Sequence, residues 1–214
     1  MSSLKKSNNN LIHHSYFHCI HPTLPILSHD RMNVYNALGT CPSMLVEAFY
    51  TTLHAAVAAV AAPNLSQCDP SQSQIAADLL SRCELGEPFR SPQMRLVHVQ
   101  ALIFMVIEAQ TRTHNPAVRQ VGGSLSKWLA SAVSAAMDMK LHNMVSFEAN
   151  TIEDERVVSR RVWMSLCVLD RLAAHSTGDV VRISEDHFVI SAQDIVTVGE
   201  PLYTLTREYC SASN

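Results

Sequence analysis

Apolar residues recur at three- and four-residue spacing over five long stretches of the chain, the pattern of amphipathic α-helices. From Ser43, a plausible N-cap, Leu45, Val46, Phe49, Leu53, Ala56, Val57 and Val60 share one face, and Pro63 stops the run. A shorter amphipathic helix is predicted over Ser73–Leu85, closed by Gly86. Residues 93–111, with Val97, Ala101, Phe104 and Ile107, are apolar nearly all round, which predicts a helix at the centre of the fold. Over 124–140, Leu125, Trp128, Leu129, Ala132, Ala135, Ala136 and Met139 form the buried side, with Asn143 suited to a left-handed end. The densest pattern follows Glu153, Asp154 and Glu155, acids placed at the positive end of a helix dipole. Here Val158, Val162, Ser165, Leu166, Leu169, Leu172 and Ala173 project to one side, and Arg156, Arg160, Met164, Cys167 and Arg171 to the other. Neither Pro nor Gly interrupts this helix before Gly178, and only Ser165 is polar between Val162 and Leu169, so it belongs to the core.

The remaining segments are shorter. Pro22 and Pro25 bar a continuous helix through the histidine-rich entry (His13, His14, His18, His21, His29), which is read as a helix or loop packed on the bundle. Asp30–Leu38 is a short helix ended by Gly39; Val180, Val181 and Ile183 are β-like but too few for a strand; Pro201–Tyr209 starts a last helix. Residues 1–10, polar and rich in Asn and Ser, are expected to be disordered, 11–210 to form the domain, and 211–214 to fray.

Composition fits an all-α fold, a multi-helix bundle or array: 47% of residues are hydrophobic, ample for a core, and glycine is scarce. The formal charge of −3 gives no electrostatic case for nucleic-acid binding. The six cysteines, at 19, 41, 68, 83, 167 and 210, contain no Cys-x-x-Cys pair and read as reduced, buried thiols. The apolar runs Ala55–Ala62 and Ala101–Ile107 are too short to span a membrane, and no signal peptide is recognisable. His14 and His18 at i, i+4, with Cys19 and His21, have metal-ligand chemistry but no carboxylate or second-shell partner, so no zinc site is assigned. Gly122-Gly123 lacks the flanking strand and Lys-Ser/Thr of a phosphate loop, and no catalytic spacing emerges from Asp154, Asp170, Asp179 and Asp186. No enzyme is expected. Asp170, deep in an apolar helix, needs a cationic or hydrogen-bonding partner, for which Arg160, Arg161 or an arginine on another helix is available.

The order Glu155-Arg156, Arg160-Arg161-Val162-Trp163, Leu169-Asp170-Arg171, Gly178 and Arg182-Ile183-Ser184 resembles the middle homology region of fungal transcription factors that carry a two-zinc, six-cysteine DNA-binding cluster. That family commonly shows R-R-x-W-W, then D-R, then G-R-P; here Met164 replaces the second Trp and Asp179-Val180 replaces Arg-Pro. Upstream, Ala132, Ala136, Met139, Lys140, Leu141 and His142 match the family's A-x-x-x-A-x-x-L-G-L-H helix end. His21–Leu27 and Cys41–Tyr50 resemble the opening of the region in relatives of the glucose-transport regulators. The resemblance implies a nuclear regulatory domain controlling RNA polymerase II transcription, with zinc and DNA contact confined to a cluster absent from this chain. It also implies protein partners, through self-association or co-regulators, and a possible small-molecule effector. Because the family's helices continue past the segment matching Phe188, the domain is expected to be truncated on its C-terminal side, with an apolar patch that promotes association. The alternative is a stand-alone helical small-molecule-binding module, its pocket between the 93–111, 124–140 and 155–175 helices and lined by Met105, Met137, Met139, Met144 and Met164.

Overall fold

A computed structural model describes residues 2–61, 70–84, 91–113, 124–143, 155–191 and 194–210. Among the described residues there are nine α-helices and no strand. In order they are α1 (Ser2–Cys19), α2 (Arg31–Gly39), α3 (Ser43–Ala61), α4 (Pro70–Glu84), α5 (Pro92–Thr113), α6 (Leu125–Asp138), α7 (Glu155–Thr177), α8 (Asp194–Val198) and α9 (Glu200–Cys210). Short 3-10 turns cover Leu141–Asn143 and Glu185–His187.

The helix starts show why the sequence breaks where it does. Asp30 accepts from the Met32 amide and caps α2. Ser91 accepts from the Met94 amide, with Pro92 at the first helical position of α5. Ser124 accepts from the Lys127 amide and caps α6. Several ends differ from expectation. Ser43 is already helical. Gly39 lies within α2, whose C-cap is Thr40 in an ordinary right-handed conformation. The left-handed residue after α6 is Lys140, at φ 57°, and not Asn143. The Lys140 amide bonds the Met137 carbonyl, closing the helix three residues earlier than expected. α1 reaches back to Ser2, through the stretch expected to be disordered. Its second half is anchored by buried His13 and Tyr16, and extending a nucleated helix costs far less than starting one.

Helix α5 is the axis of the fold. Leu102, Ile103, Phe104, Met105 and Val106 are all completely buried, enclosed by α3, α6, α7, α4 and α2. The apolar surface expected to remain open around this helix is therefore covered. α3 is long and apolar enough to cross a membrane by length and composition, a property that its shorter Ala55–Ala62 run does not suggest. It packs on α5, α4 and α1, and buried Ala48, Ala55, Ala56 and Ala59 permit close approach, so it is read as a core helix. The buried ionised groups Glu108 and Arg112 of α5 are not left bare. Glu108 is paired with Arg112 one turn on, whose Nη2 lies 2.7 Å from its Oε2, and accepts a 2.6 Å hydrogen bond from Ser73 of α4.

His98, also on α5, is 9% exposed, and desolvation pushes its pKa down from 6.5 to about 4. The fold holds the neutral imidazole, so as pH falls below 6.5 the unfolded chain binds a proton that the native chain refuses. Stability is then lost between pH 6.5 and 4 at about 1.4 kcal/mol per pH unit from this group, roughly 3 kcal/mol in all. Burial and Arg31 push His13 in the same direction. Urea unfolding at pH 7 and pH 5 should show the loss, and His98→Leu should remove about 2 kcal/mol of the difference. An unchanged pH dependence in that variant would contradict the assignment.

Candidate functional site: the motif residues of α7

Along α7 every residue from Val158 to Asp170 is buried. One side, with Val162, Leu166 and Leu169, joins the main core. The other, with Met164 and Val168, meets Val198 and Leu202 in a second, smaller core under α8 and α9. Arg160, Met164 and Val168 are thus covered by the segment that follows Gly178, while Cys167 joins the main core.

Three ties hold that segment on α7. The first is Arg160, only 4% exposed. Its Nε and Nη2 donate to Oδ1 and Oδ2 of Asp194, each at 2.8 Å, and Nη2 also donates to the Val189 carbonyl. Asp194, at the first position of α8, accepts in addition from the Ser191 amide at 2.8 Å and the Ser191 hydroxyl at 3.3 Å. Asp194 reaches back to the Ser191 amide as the acid of a capping box does, and the Ser-x-x-Asp spacing before Ile195-Val196 is the signal that could have revealed this carboxylate. Arg160 therefore serves Asp194, and not Asp170 as the sequence allowed.

The second tie is the Asp170-Arg171 pair. Asp170, fully buried, accepts from the amides of Arg182 at 3.0 Å and Ile183 at 2.8 Å. Arg171 Nη1 sits 3.3 Å from Oδ2 of Asp170 and donates to the Ile183 carbonyl at 2.9 Å. The two side chains thus satisfy the amides of Arg182 and Ile183 and the Ile183 carbonyl where the chain bends and has no regular secondary structure to do so. This holds Ile183, 2% exposed, in the core without a strand. Arg182 extends the tie to α6 by donating to Ser126. Gly178, at φ 73°, turns the chain out of α7 so that it can return along it, a backbone setting that favours glycine.

The third tie is aromatic. Trp163, completely buried, lies 5.9 Å between ring centroids from His142 at the end of α6, and His142 lies 5.0 Å from His187 in the Glu185–His187 turn. Burial, then the charges of His187 and Lys140, lowers the His142 pKa. Neither Trp163 Nε1 nor His142 Nδ1 has a hydrogen-bond partner among the described residues. Leu141, also completely buried, anchors the same turn, and Arg161 is 7% exposed.

Other sequence candidates do not converge. His14 and His18 are exposed, while His21 turns inward to the Tyr16 hydroxyl, 3.2 Å away, and to His29. Among the described residues no three His, Cys, Asp or Glu side chains group closely enough to hold a metal ion. Met105 and Met164 are solid core, Met137 and Met139 pack on it, and Met144 lies outside the described residues. A cavity of about 300 Å³ lies instead between the Leu27–Ser28 segment, α2, Phe49 of α3, the first turns of α5 and the start of α7.

These ties place Arg160, Trp163, Asp170, Arg171 and Gly178 in one structural role, and comparison with known proteins gives the chain a family. A family model described as "Fungal specific transcription factor domain" matches residues 14–192. The chain belongs to that family. It is also 27% identical over 191 residues to a transcriptional regulatory protein of Schizosaccharomyces pombe, a match covering 86% of this chain and 22% of the relative. The chain thus spans about a fifth of that relative's length. No solved structure matches it significantly. Its fold, over the described residues, is all-helical. The match ends at residue 192, so α8, α9 and Asp194, which answers Arg160, lie outside it.

Proposed function

We propose that this chain is the regulatory domain of a transcription factor that controls RNA polymerase II transcription in the nucleus. DNA reading is assigned to a two-zinc, six-cysteine cluster outside these residues, and the domain itself works through protein partners and an effector rather than by catalysis. The match of the family over 14–192 carries this reading. The relative's description as a transcriptional regulatory protein supports it, as does the negative charge of the chain, which suits it poorly for tracking phosphates unaided. Protein contact is supported by exposed apolar side chains on the tied segment, among them Val180, Val189, Ile195, Val196 and Tyr209.

The test is a fusion of residues 1–214 to a heterologous DNA-binding module in a yeast reporter strain. The domain is expected to change reporter output several-fold relative to the module alone. Unchanged output, with the fusion shown to be folded and nuclear, would overturn the reading.

A further inference from the structure

The cavity beside α2 has a lining whose chemistry restricts what it can hold. Its floor is apolar: Leu27 and Phe49 are 1% exposed and Val97 2%. Its rim carries Asn36 and Glu155, both exposed. At about 300 Å³ it falls at the small end of small-molecule sites, and it has roughly twice the volume of a cavity known to take benzene. Among the described residues no Arg, Lys or His lines it, so none of them offers an anionic ligand a counter-charge. The one charged lining group among the described residues is the carboxylate of Glu155 at the start of α7.

Gln100, 6% exposed, gives one amide N–H to the Ile26 carbonyl at 2.9 Å and has its Oε1 as an acceptor. Ser28, Asn33, Asn36 and Gln93 add side chains that both donate and accept, and only the Glu155 carboxylate accepts alone. Such a wall suits a molecule that is apolar over most of its surface and whose polar end can donate to Glu155 and Gln100.

We propose that this cavity is the domain's effector site, and that its ligand is a one- or two-ring-sized molecule with an apolar body and an uncharged or cationic hydrogen-bond-donating end. The proposal rests on the regulatory reading above. Occupancy would bridge α2 and α5 to the first turn of α7, the helix to which the C-terminal segment is tied, so ligand binding and the hold on that segment would be energetically linked.

Three probes with one body and different ends test it: tryptamine (cation), indole-3-ethanol (neutral) and indole-3-acetate (anion), titrated into the 214-residue chain by calorimetry and thermal shift. Tryptamine and indole-3-ethanol are expected to raise Tm by about 3–6 °C at tenfold their dissociation constants, with indole-3-acetate weakest. Glu155→Gln, at an exposed position, should weaken tryptamine by about 2–5-fold and leave indole-3-ethanol within error. Ala37→Leu, which narrows the cavity from α2, should weaken both. Indole-3-acetate binding as tightly as tryptamine, binding of none of the three at millimolar concentration, or indifference to both substitutions would overturn the proposal. A chain that fails these tests while its fusion still alters reporter output loses the effector site alone; binding without any reporter effect would instead remove the regulatory reading.

Discussion

Trp163→Ala is expected to destabilise the domain by about 3–5 kcal/mol, the usual cost of emptying a buried aromatic site. Trp163 is completely buried on α7, with His142 of the Leu141–Asn143 turn 5.9 Å away and His187 beyond it, 5.0 Å from His142. Far-UV circular dichroism during urea unfolding reads the loss without depending on the missing indole. Trp163→Phe separates shape from hydrogen bonding. The indole N–H has no partner among the described residues, so phenylalanine forfeits no hydrogen bond and should keep more than half of the stability lost in the alanine variant. A loss under about 1 kcal/mol in Trp163→Ala would mean that the cluster contributes little.

Removing one half of the Arg160–Asp194 pair is expected to cost a similar 3–5 kcal/mol, because it leaves the other charge buried and unanswered. The two deletions should not be equal. In Arg160→Ala, Asp194 keeps its bonds from the Ser191 amide and hydroxyl. In Asp194→Ala, Arg160 keeps only the Val189 carbonyl among the partners identified, so this variant should be the costlier. Replacing both by apolar residues should recover much of the loss, giving a coupling of roughly 2 kcal/mol or more in a double-mutant cycle. The small core of Met164, Val168, Val198 and Leu202 is expected to open before the main one, so limited proteolysis of the single variants should cut first in the 188–205 region. Additive single effects, or first cleavage in α3 or α5, would contradict this tie.

Much of this fold was legible in the spacing of apolar residues, and the places where it was not share a physical cause. α5 could be placed at the centre because an all-round apolar helix has nowhere else to go. α6 was legible because Leu125, Trp128, Leu129, Ala132 and Ala136 recur at helical spacing, and all five are buried. α8, only five residues long, has too little periodicity to register. The partners of the motif residues were harder still. Arg160 meets a carboxylate 34 positions downstream, and the Ser-x-x-Asp spacing there marks a helix start without saying which arginine answers it. Asp170 is answered mainly by two backbone amides, groups that every residue but proline carries and that composition cannot reveal. The cavity escaped notice for a related reason: its lining comes from five separated segments, whereas the methionines that suggested a pocket are mostly ordinary packing.

The central claim is that the family motif on α7 works as a set of ties that hold the following segment against the helix. Hydrogen exchange at the amides of Arg182 and Ile183, which donate to Asp170, tests it most directly. In the native chain both are expected to be strongly protected, far above the exposed neighbours Asp179 and Val180, and in Asp170→Ala both should lose that protection together. Amides at 182 and 183 that exchange as fast as those at 179 and 180 in the native chain, or that stay protected without the carboxylate, would contradict it.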